Sequence, residues 1–431
     1  MMSFSRIGTW MGIAFVIWAS ASISQAQQTD RSVERELKAL KGELAAGQRA
    51  GDEMAVRRTT EQSIKLLGDK AGVPEVADEY KRPPAEVRRL TKQEAAAAFG
   101  PALEFIEQNR WWKIGLDPTK TARLPREVAS VLLCATAAHR AQASQSARLL
   151  ALAREAGDYL IWTQEQGGTG VIPFPVVRSR DNQALATADE FFRRAERAGR
   201  LDEAIHNGWA IDDLGDGGMQ FDNGECGVAL FELYEATQDK KYLDAATRTA
   251  DWTLTRPVAT NWNYNSFSVH LLATGFRVTG AKKYLEAAKL KTRLGVLPGQ
   301  LTSGRHEGRW ADPHNARPAY HYIMVRALAN LASVMPLDDV DRSVVMAALR
   351  RALIARNREL VEQGIMNKDK AIEALLLVSL RLPHAHELAD CQVAAGLDVV
   401  ERGVTAEFRA NRKPLSPGMW GQFLEWVIRR E

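Results

Sequence analysis

Two stretches of the chain concentrate side chains able to move protons. The first runs from His206 to Cys226 and holds five acids, Asp212, Asp213, Asp216, Asp222 and Glu225, with no lysine or arginine. Five glycines make its backbone permissive. Two carboxylates could act as acid and base, or as acid and nucleophile, at a glycosidic bond. Several together could hold Ca²⁺ through oxygen, although the spacing is not that of an EF-hand loop. Alternatively the acids solvate a loop, and Asp222 or Asn223 caps a helix that begins near Val228. Asp213 and Asp222 are the carboxylates on which the catalytic expectation rests.

The second stretch runs from Ser303 to His321. It contains Arg305, His306, Glu307, Arg309, Trp310, Asp312, His314, Asn315, Arg317, Tyr320 and His321, and so three of the eight histidines. Eliminative cleavage at a uronic acid needs a group that neutralises the carboxylate, a base for the C5 proton and a donor to the leaving oxygen. His314, Arg317 and Tyr320 meet those needs by type. The competing reading is that Asn315 or the preceding loop caps a helix starting near Pro318, while Tyr320 and His321 pack. His306, His314 and His321 are too widely spaced for a compact zinc motif, so no metal is assigned.

Indole faces suit the apolar faces of pyranose rings and add an N–H donor. Trp209, Trp262 and Trp310 lie in or beside loops and are expected, with Asn261 and Asn315, to bind substrate. Asn261-Trp262-Asn263-Tyr264-Asn265 alternates amides with aromatics just before a helix; its plainer reading is a tight turn around one buried tryptophan. Trp252 falls in a helical stripe and reads as core. Gly170 to Pro175, followed by Arg178, Arg180 and Asp181, reads as a cleft rim or a rigid crossover.

Other chemistries find no support. The sequence has no phosphate-binding glycine loop, no dinucleotide fingerprint and no nucleophile elbow. No organic cofactor is expected, and Ca²⁺ at the acidic stretch is the one ion its side chains would suit. With 57 Lys and Arg against 53 Asp and Glu, the net charge of +4 is small for 431 residues and makes no case for nucleic acid. The hydrophobic share of 45% suits a folded globular protein.

The elements that would position these residues read as helices throughout. Val128, Val131, Leu132, Ala135 and Ala138 form an apolar stripe after Pro125, a residue suited to a first helical turn. A second helix carries Leu149, Leu152, Ala156, Tyr159 and Leu160. Thr237-Gln238-Asp239-Lys240-Lys241-Tyr242-Leu243-Asp244-Ala245-Ala246 recurs as Thr279-Gly280-Ala281-Lys282-Lys283-Tyr284-Leu285-Glu286-Ala287-Ala288, each copy after an apolar helix. Such a repeat is one helical hairpin that buries its faces against its neighbours. Pro318 to Met335 pairs with Val340 to Leu360, and Ala371 to Leu380 with His386 to Val399. The region from Pro84 to Trp112 supplies one more helical element. Five or six hairpins result, joined by long loops rich in Gly, Trp, Asp and His. An all-α fold follows, and the long loops favour a closed α/α toroid over an open solenoid.

Residues 1–26 read as a signal peptide. Arg6 precedes the apolar run Trp10 to Ala19, and small and polar residues lead to Ala26. The run is too short to span a bilayer. The expectation is a secreted or periplasmic chain, cleaved near Ala26, with no membrane span in the mature form. Residues 27–84 form a helical arm and linker, and 85–431 the toroid domain. Cys134, Cys226 and Cys391 permit one disulfide but do not require it.

The recurring Thr-(Gln/Gly)-x-Lys-Lys-Tyr-Leu-(Asp/Glu)-Ala-Ala phrase, with Asp216-Gly217-Gly218-Met219, resembles the six-hairpin glycosidase-like superfamily over roughly residues 125–400. Met219 departs from the aromatic common there. The resemblance implies an α/α toroid and a carbohydrate ligand. It leaves lyase and glycosidase chemistry both open. A non-catalytic periplasmic protein that binds carbohydrate or protein is the alternative.

Overall fold

The computed structural model describes residues 32–75, 80–110, 112, 125–142, 145–168, 170–172, 183–207, 217–364 and 368–430. Two arm helices come first: α1 (residues 32–50) and α2 (Glu53–Leu67). Then follow α3 (Lys92–Gln108), α4 (Pro125–Ala141), α5 (Ser146–Gly167), α6 (Gln183–Arg197) and α7 (Leu201–Asn207). The rest of the chain forms α8 (Gly217–Thr237), α9 (Lys240–Leu254), α10 (Trp262–Thr279), α11 (Lys282–Gly295), α12 (Pro318–Val334), α13 (Arg342–Gln363), α14 (Lys368–Arg381), α15 (Val393–Arg409) and α16 (Trp420–Arg429). Extended pairing among the described residues is one isolated bridge, Gln300 to Trp310.

The helices close a ring. α4 packs on α8, α8 on α10, α10 on α12, α12 on α14, α14 on α16, and α16 returns to α4. Each of these inner helices has an outer partner: α5, α9, α11, α13 and α15 in turn, and α3 behind α16. The fold is an α/α toroid, as the hairpin pattern predicts. Its sixth hairpin joins the two ends of the domain. The closing helix α16 was legible as Trp420, Phe423, Leu424 and Val427, a helical i, i+3, i+4, i+7 stripe, but the hairpin pattern stopped short of it. Leu133, Val228, Thr274, Asn330, Leu377 and Gln422, one from each inner helix, surround an axial cavity of about 100 Å³.

The repeated phrase has one structural job. Tyr242 and Tyr284 are both buried at the start of an outer helix. The Tyr242 hydroxyl donates to Asp158 on α5 at 2.9 Å, and the Tyr284 hydroxyl donates to Asp251 on α9 at 2.8 Å. Lys241 and Lys283 reach the same two carboxylates. Each hairpin is thus fastened to the outer helix before it. The second residue of each copy is in the left-handed region, Gln238 at φ 56° and Gly280 at φ 70°, which glycine adopts more easily.

The two longest stretches between ring helices, from α5 to α8 and from α11 to α12, both lead into an inner helix. They meet the ring where the inner helices begin, at what we term the mouth. The arm lies there too. Gln48 donates to the carbonyls of Ala259 and Leu294 at 3.3 and 3.0 Å, and the Gly72 and Glu75 amides donate to those of Ala311 and Pro313. Residues 80–91 continue along the rim, where the Tyr80 hydroxyl bonds Glu359 and Lys81 pairs with Glu407. No described helix is long and apolar enough to cross a membrane. Cys134, Cys226 and Cys391 are buried, free thiols. The expected signal peptide at 1–26 lies outside the described residues.

Candidate functional site

The acid-rich stretch is only partly a loop. Helix α8 begins at Gly217, eleven residues before the expected start at Val228. Asp222 and Asn223 are consequently inside the helix and cap nothing. The Gly-rich composition has a packing cause: a Cβ on Gly224 would lie 2.7 Å from the Phe267 Cβ, and one on Gly227 2.6 Å from Leu271. These glycines let α8 and α10 approach closely. Asn223 exchanges hydrogen bonds with the backbone of Ile172, accepting from its amide at 2.8 Å and donating to its carbonyl at 3.1 Å. It thereby pins the crossover that precedes α8.

Asp222 is 3% exposed and faces Arg126 at the start of α4, with Oδ1 3.0 Å from Nη1. The Arg126 guanidinium lies 4.3 Å above the Phe221 ring, which stacks on Phe267 at 4.1 Å. Burial pushes the Asp222 carboxyl up to about 6 against the pull of Arg126, and the neighbouring Glu225 charge pushes the same way. A carboxyl poised there can hold a proton near neutrality and release it to a leaving group. Glu225, one turn deeper, is committed to Arg326 at 2.9 Å. Arg326 also pairs with Glu373, and Lys370 bonds Glu373 at 2.8 Å. Despite burial, Arg326 and Lys370 hold Glu373 down to about 2.

The expected amide residues meet one another. Asn261 is the N-cap of α10, and its Oδ1 accepts from the Asn263 amide at 3.3 Å. Asn315 accepts from Asn263 at 3.1 Å on the backbone and 3.0 Å on the side chain. It donates to Asn261 at 3.0 Å and to Asp312 at 2.8 Å. This buried amide network ties the start of α10 to the loop before α12. Both asparagines still line a cavity of about 450 Å³ together with Trp262, Tyr264, Asp312 and His314, and the arm closes it with Leu37, Lys41, Leu44, Ile64 and Leu67.

Trp310 does not line the cleft. It is fully buried, its Nε1 donates to the Val296 carbonyl at 2.8 Å, and its ring meets His321 edge-on. His321 is also buried and bonded to the Ala352 carbonyl. The apolar run into α12 draws both rings into the core. Trp252 departs in the other direction: it is part-exposed, with the Arg256 guanidinium 5.3 Å above it.

His314, Arg317 and Tyr320 do come together. The His314 ring stacks on Tyr320 at 4.3 Å, and Arg317 lies 5.4 Å from the Tyr320 centroid. Glu75 of the arm reaches His314 at 3.2 Å and Arg317 at 3.5 Å. His314, Arg317 and Tyr320 are part-exposed, which puts this group at the outer lip, around the start of α12, with α10 between it and Asp222. Tyr264 links the two regions, since it borders the cavity and lies 6.4 Å from the Phe221 ring. Trp209 and Asp213 lie outside the described residues, as do Asp212, Asp216 and 173–182. Among the described residues, no three His, Cys, Asp or Glu side chains are placed to share a metal ion.

Sequence reasoning missed Arg126, Arg326, Lys370 and Glu373. Arg326 had a signal, a lone charge within the apolar run Ile323 to Leu328. Arg126 had another, a charge in the first turn of a helix opened by Pro125.

No protein-family model and no curated protein matches the sequence. Among solved structures the chain is similar to a polysaccharide lyase, with 10% identity, a TM-score of 0.49 and coverage of 79% of this chain and 97% of that one. It is similar to a glycosyl hydrolase family 88 protein from Bacteroides vulgatus, with 10% identity, a TM-score of 0.46 and coverage of 79% and 99%. A third is an unsaturated glucuronyl hydrolase from Bacillus sp. GL1, responsible for degradation of glycosaminoglycan, with 14% identity, a TM-score of 0.30 and coverage of 79% and 97%.

Proposed function

We propose that this toroid is an exported glycan-processing enzyme, and that it acts as a hydrolase with Asp222 as the proton donor. The observation that carries the reading is the buried Asp222 carboxyl, raised to about 6 and oriented by Arg126 at the mouth. Glycoside hydrolysis needs one carboxyl that stays protonated near neutrality. Asp213, nine residues earlier in the same acid-rich stretch, is the proposed second carboxylate. The aromatic wall of Phe221, Tyr264 and Trp262 supports recognition of a sugar face. In the alternative lyase reading, Tyr320 is the base and Arg317 neutralises a uronate. Its support is the stacked His314–Tyr320–Arg317 group at the lip. The binding-protein reading draws on the mostly apolar walls that the arm lends the cavity.

A polysaccharide and oligosaccharide panel separates these readings. Reducing sugar released without ultraviolet absorbance, and lost in Asp222→Asn, supports the hydrolase. Absorbance from an unsaturated uronide that survives in Asp222→Asn and disappears in Tyr320→Phe overturns it in favour of the lyase. Binding without turnover across the panel overturns both.

A further inference from the structure

The other end of the ring, where the inner helices finish, holds a second cavity of about 420 Å³. Its size falls within the range of small-molecule sites. It shares Arg140, Glu232, Arg277, Arg381 and Glu425 with the axial cavity, so the two adjoin. Guanidinium groups outnumber carboxylates there: Arg140, Arg277, Arg381 and Arg429 face Glu232, Glu235 and Glu425.

The carboxylates are unevenly shared. Glu425 takes both ends of Arg140, at 2.8 and 2.9 Å, and Arg429 at 2.6 Å. Glu232 accepts from Arg140 at 2.7 Å and stands 3.6 Å from Arg277. Arg381 is left with Glu232 at 3.9 Å, longer than a hydrogen bond. Burial, and then the neighbouring Arg277 charge, hold the Arg381 guanidinium below its ordinary value. Two further polar atoms are buried without hydrogen-bond partners, Nε of Arg277 and Nδ1 of His270. Burial keeps the His270 imidazole neutral, well below its usual range, and its ring borders the axial cavity.

The negative ends of the surrounding helices favour cations here. That explains why arginines are tolerated, but Arg140 and Arg277 direct their hydrogen bonds to carboxylates rather than to the terminal carbonyls. We infer that this end of the ring is a binding site for a small hydroxylated carboxylate, of the size of a sugar acid. Its carboxylate would take the charge-assisted bonds that Arg381 and the Nε of Arg277 lack, beside the Arg277 Nη1 pair with Glu235. Its hydroxyls would meet Glu235 and His270. The site is separate from Asp222 and stands whether or not the mouth hydrolyses a glycan.

Titration calorimetry on the purified protein tests this with D-glucuronate as the probe, beside D-glucose and inorganic phosphate. The expected result is saturable binding of glucuronate that weakens as salt is raised and falls at least about tenfold in Arg381→Gln. Neither glucose nor phosphate should match it. Asp222→Asn should keep the glucuronate affinity. If Arg381→Gln lowers the melting temperature, Arg277→Lys serves as the second variant, with the same loss expected. Failure of glucuronate to bind, equal binding of phosphate, or unchanged affinity in a folded variant would overturn the assignment. So would affinity lost in Asp222→Asn alone, since that would put the ligand at the mouth.

Discussion

Arg126 and Asp222 join the first two inner helices across the mouth of the ring through a 3.0 Å ion pair. Arg126 is held by its stack on Phe221, so the pair has a fixed orientation. The aspartate stays buried beside a cation, yet burial outweighs that cation in setting its proton affinity. A buried carboxyl with a raised proton affinity, paired to a cation at the start of two inner helices, is the strongest chemical feature of the described residues.

Substituting Asp222 separates its chemical from its structural effect. Its carboxyl shifts from 3.8 to about 6 on folding. The folded state therefore binds the proton more tightly, and its contribution to stability is present below pH 4 and lost as the pH rises through 6. At roughly 1.4 kcal/mol per unit the swing is on the order of 3 kcal/mol. Denaturant curves from pH 4 to 7 should show Asp222→Asn gaining on the wild type as the pH rises. Activity on any glycan the protein cleaves should fall on the alkaline side of about pH 6 in the wild type and be absent in the variant.

Arg326 satisfies two buried carboxylates, Glu225 and Glu373. Arg326→Met would strip Glu225 of its guanidinium partner and leave Glu373 to Lys370 alone, a loss of about 3–5 kcal/mol at neutral pH. Without Arg326, Glu373 should lose most of the pull that holds it near 2. Acidification from pH 7 to 5 should therefore narrow the gap to the wild type, because the stranded carboxylates can protonate. Urea midpoints at the two pH values measure this.

Gly224 faces the Phe267 side chain and backbone at a distance no Cβ tolerates. Gly224→Ala should force α8 and α10 apart at a cost of about 1–3 kcal/mol. The same change at Gly42, which has nothing within 4 Å, should be neutral or stabilising because it favours the helix. Thermal melts of the two variants give the contrast.

Trp310 is a core residue with a single hydrogen bond, from Nε1 to the Val296 carbonyl. Trp310→Phe should lower stability by about 1–2 kcal/mol through the lost bond and volume. It should leave KM unchanged for any substrate of the panel. A raised KM with unaltered stability would instead mean that Trp310 touches substrate.

Much of the scaffold was legible because it is periodic. The repeated Lys-Lys-Tyr-Leu phrase announced hairpins, and the Tyr242–Asp158 and Tyr284–Asp251 clamps show the contact that the repetition preserves. The site was less legible. Glycines at 217 and 224 read as loop, since glycine is permissive, yet here they serve, with Gly227, a close helix crossing. Asn261 and Asn315 had the right chemistry for a ligand, and the fold uses them to bond each other.

The sequence by itself determined the helices, their pairing into hairpins and two stretches rich in proton-moving groups, because these depend on residue type and on spacing within about one helical repeat. Ring closure was a tertiary decision. It brings α16 against α4 and α3, helices hundreds of residues apart in the chain or separated from it by the whole toroid. So were the choice of Arg126 as the partner of Asp222, the withdrawal of Trp310 into the core and the gathering of four arginines at the far end. Each depends on which faces of different helices meet and on how far that contact excludes water, and neither quantity is written in local spacing.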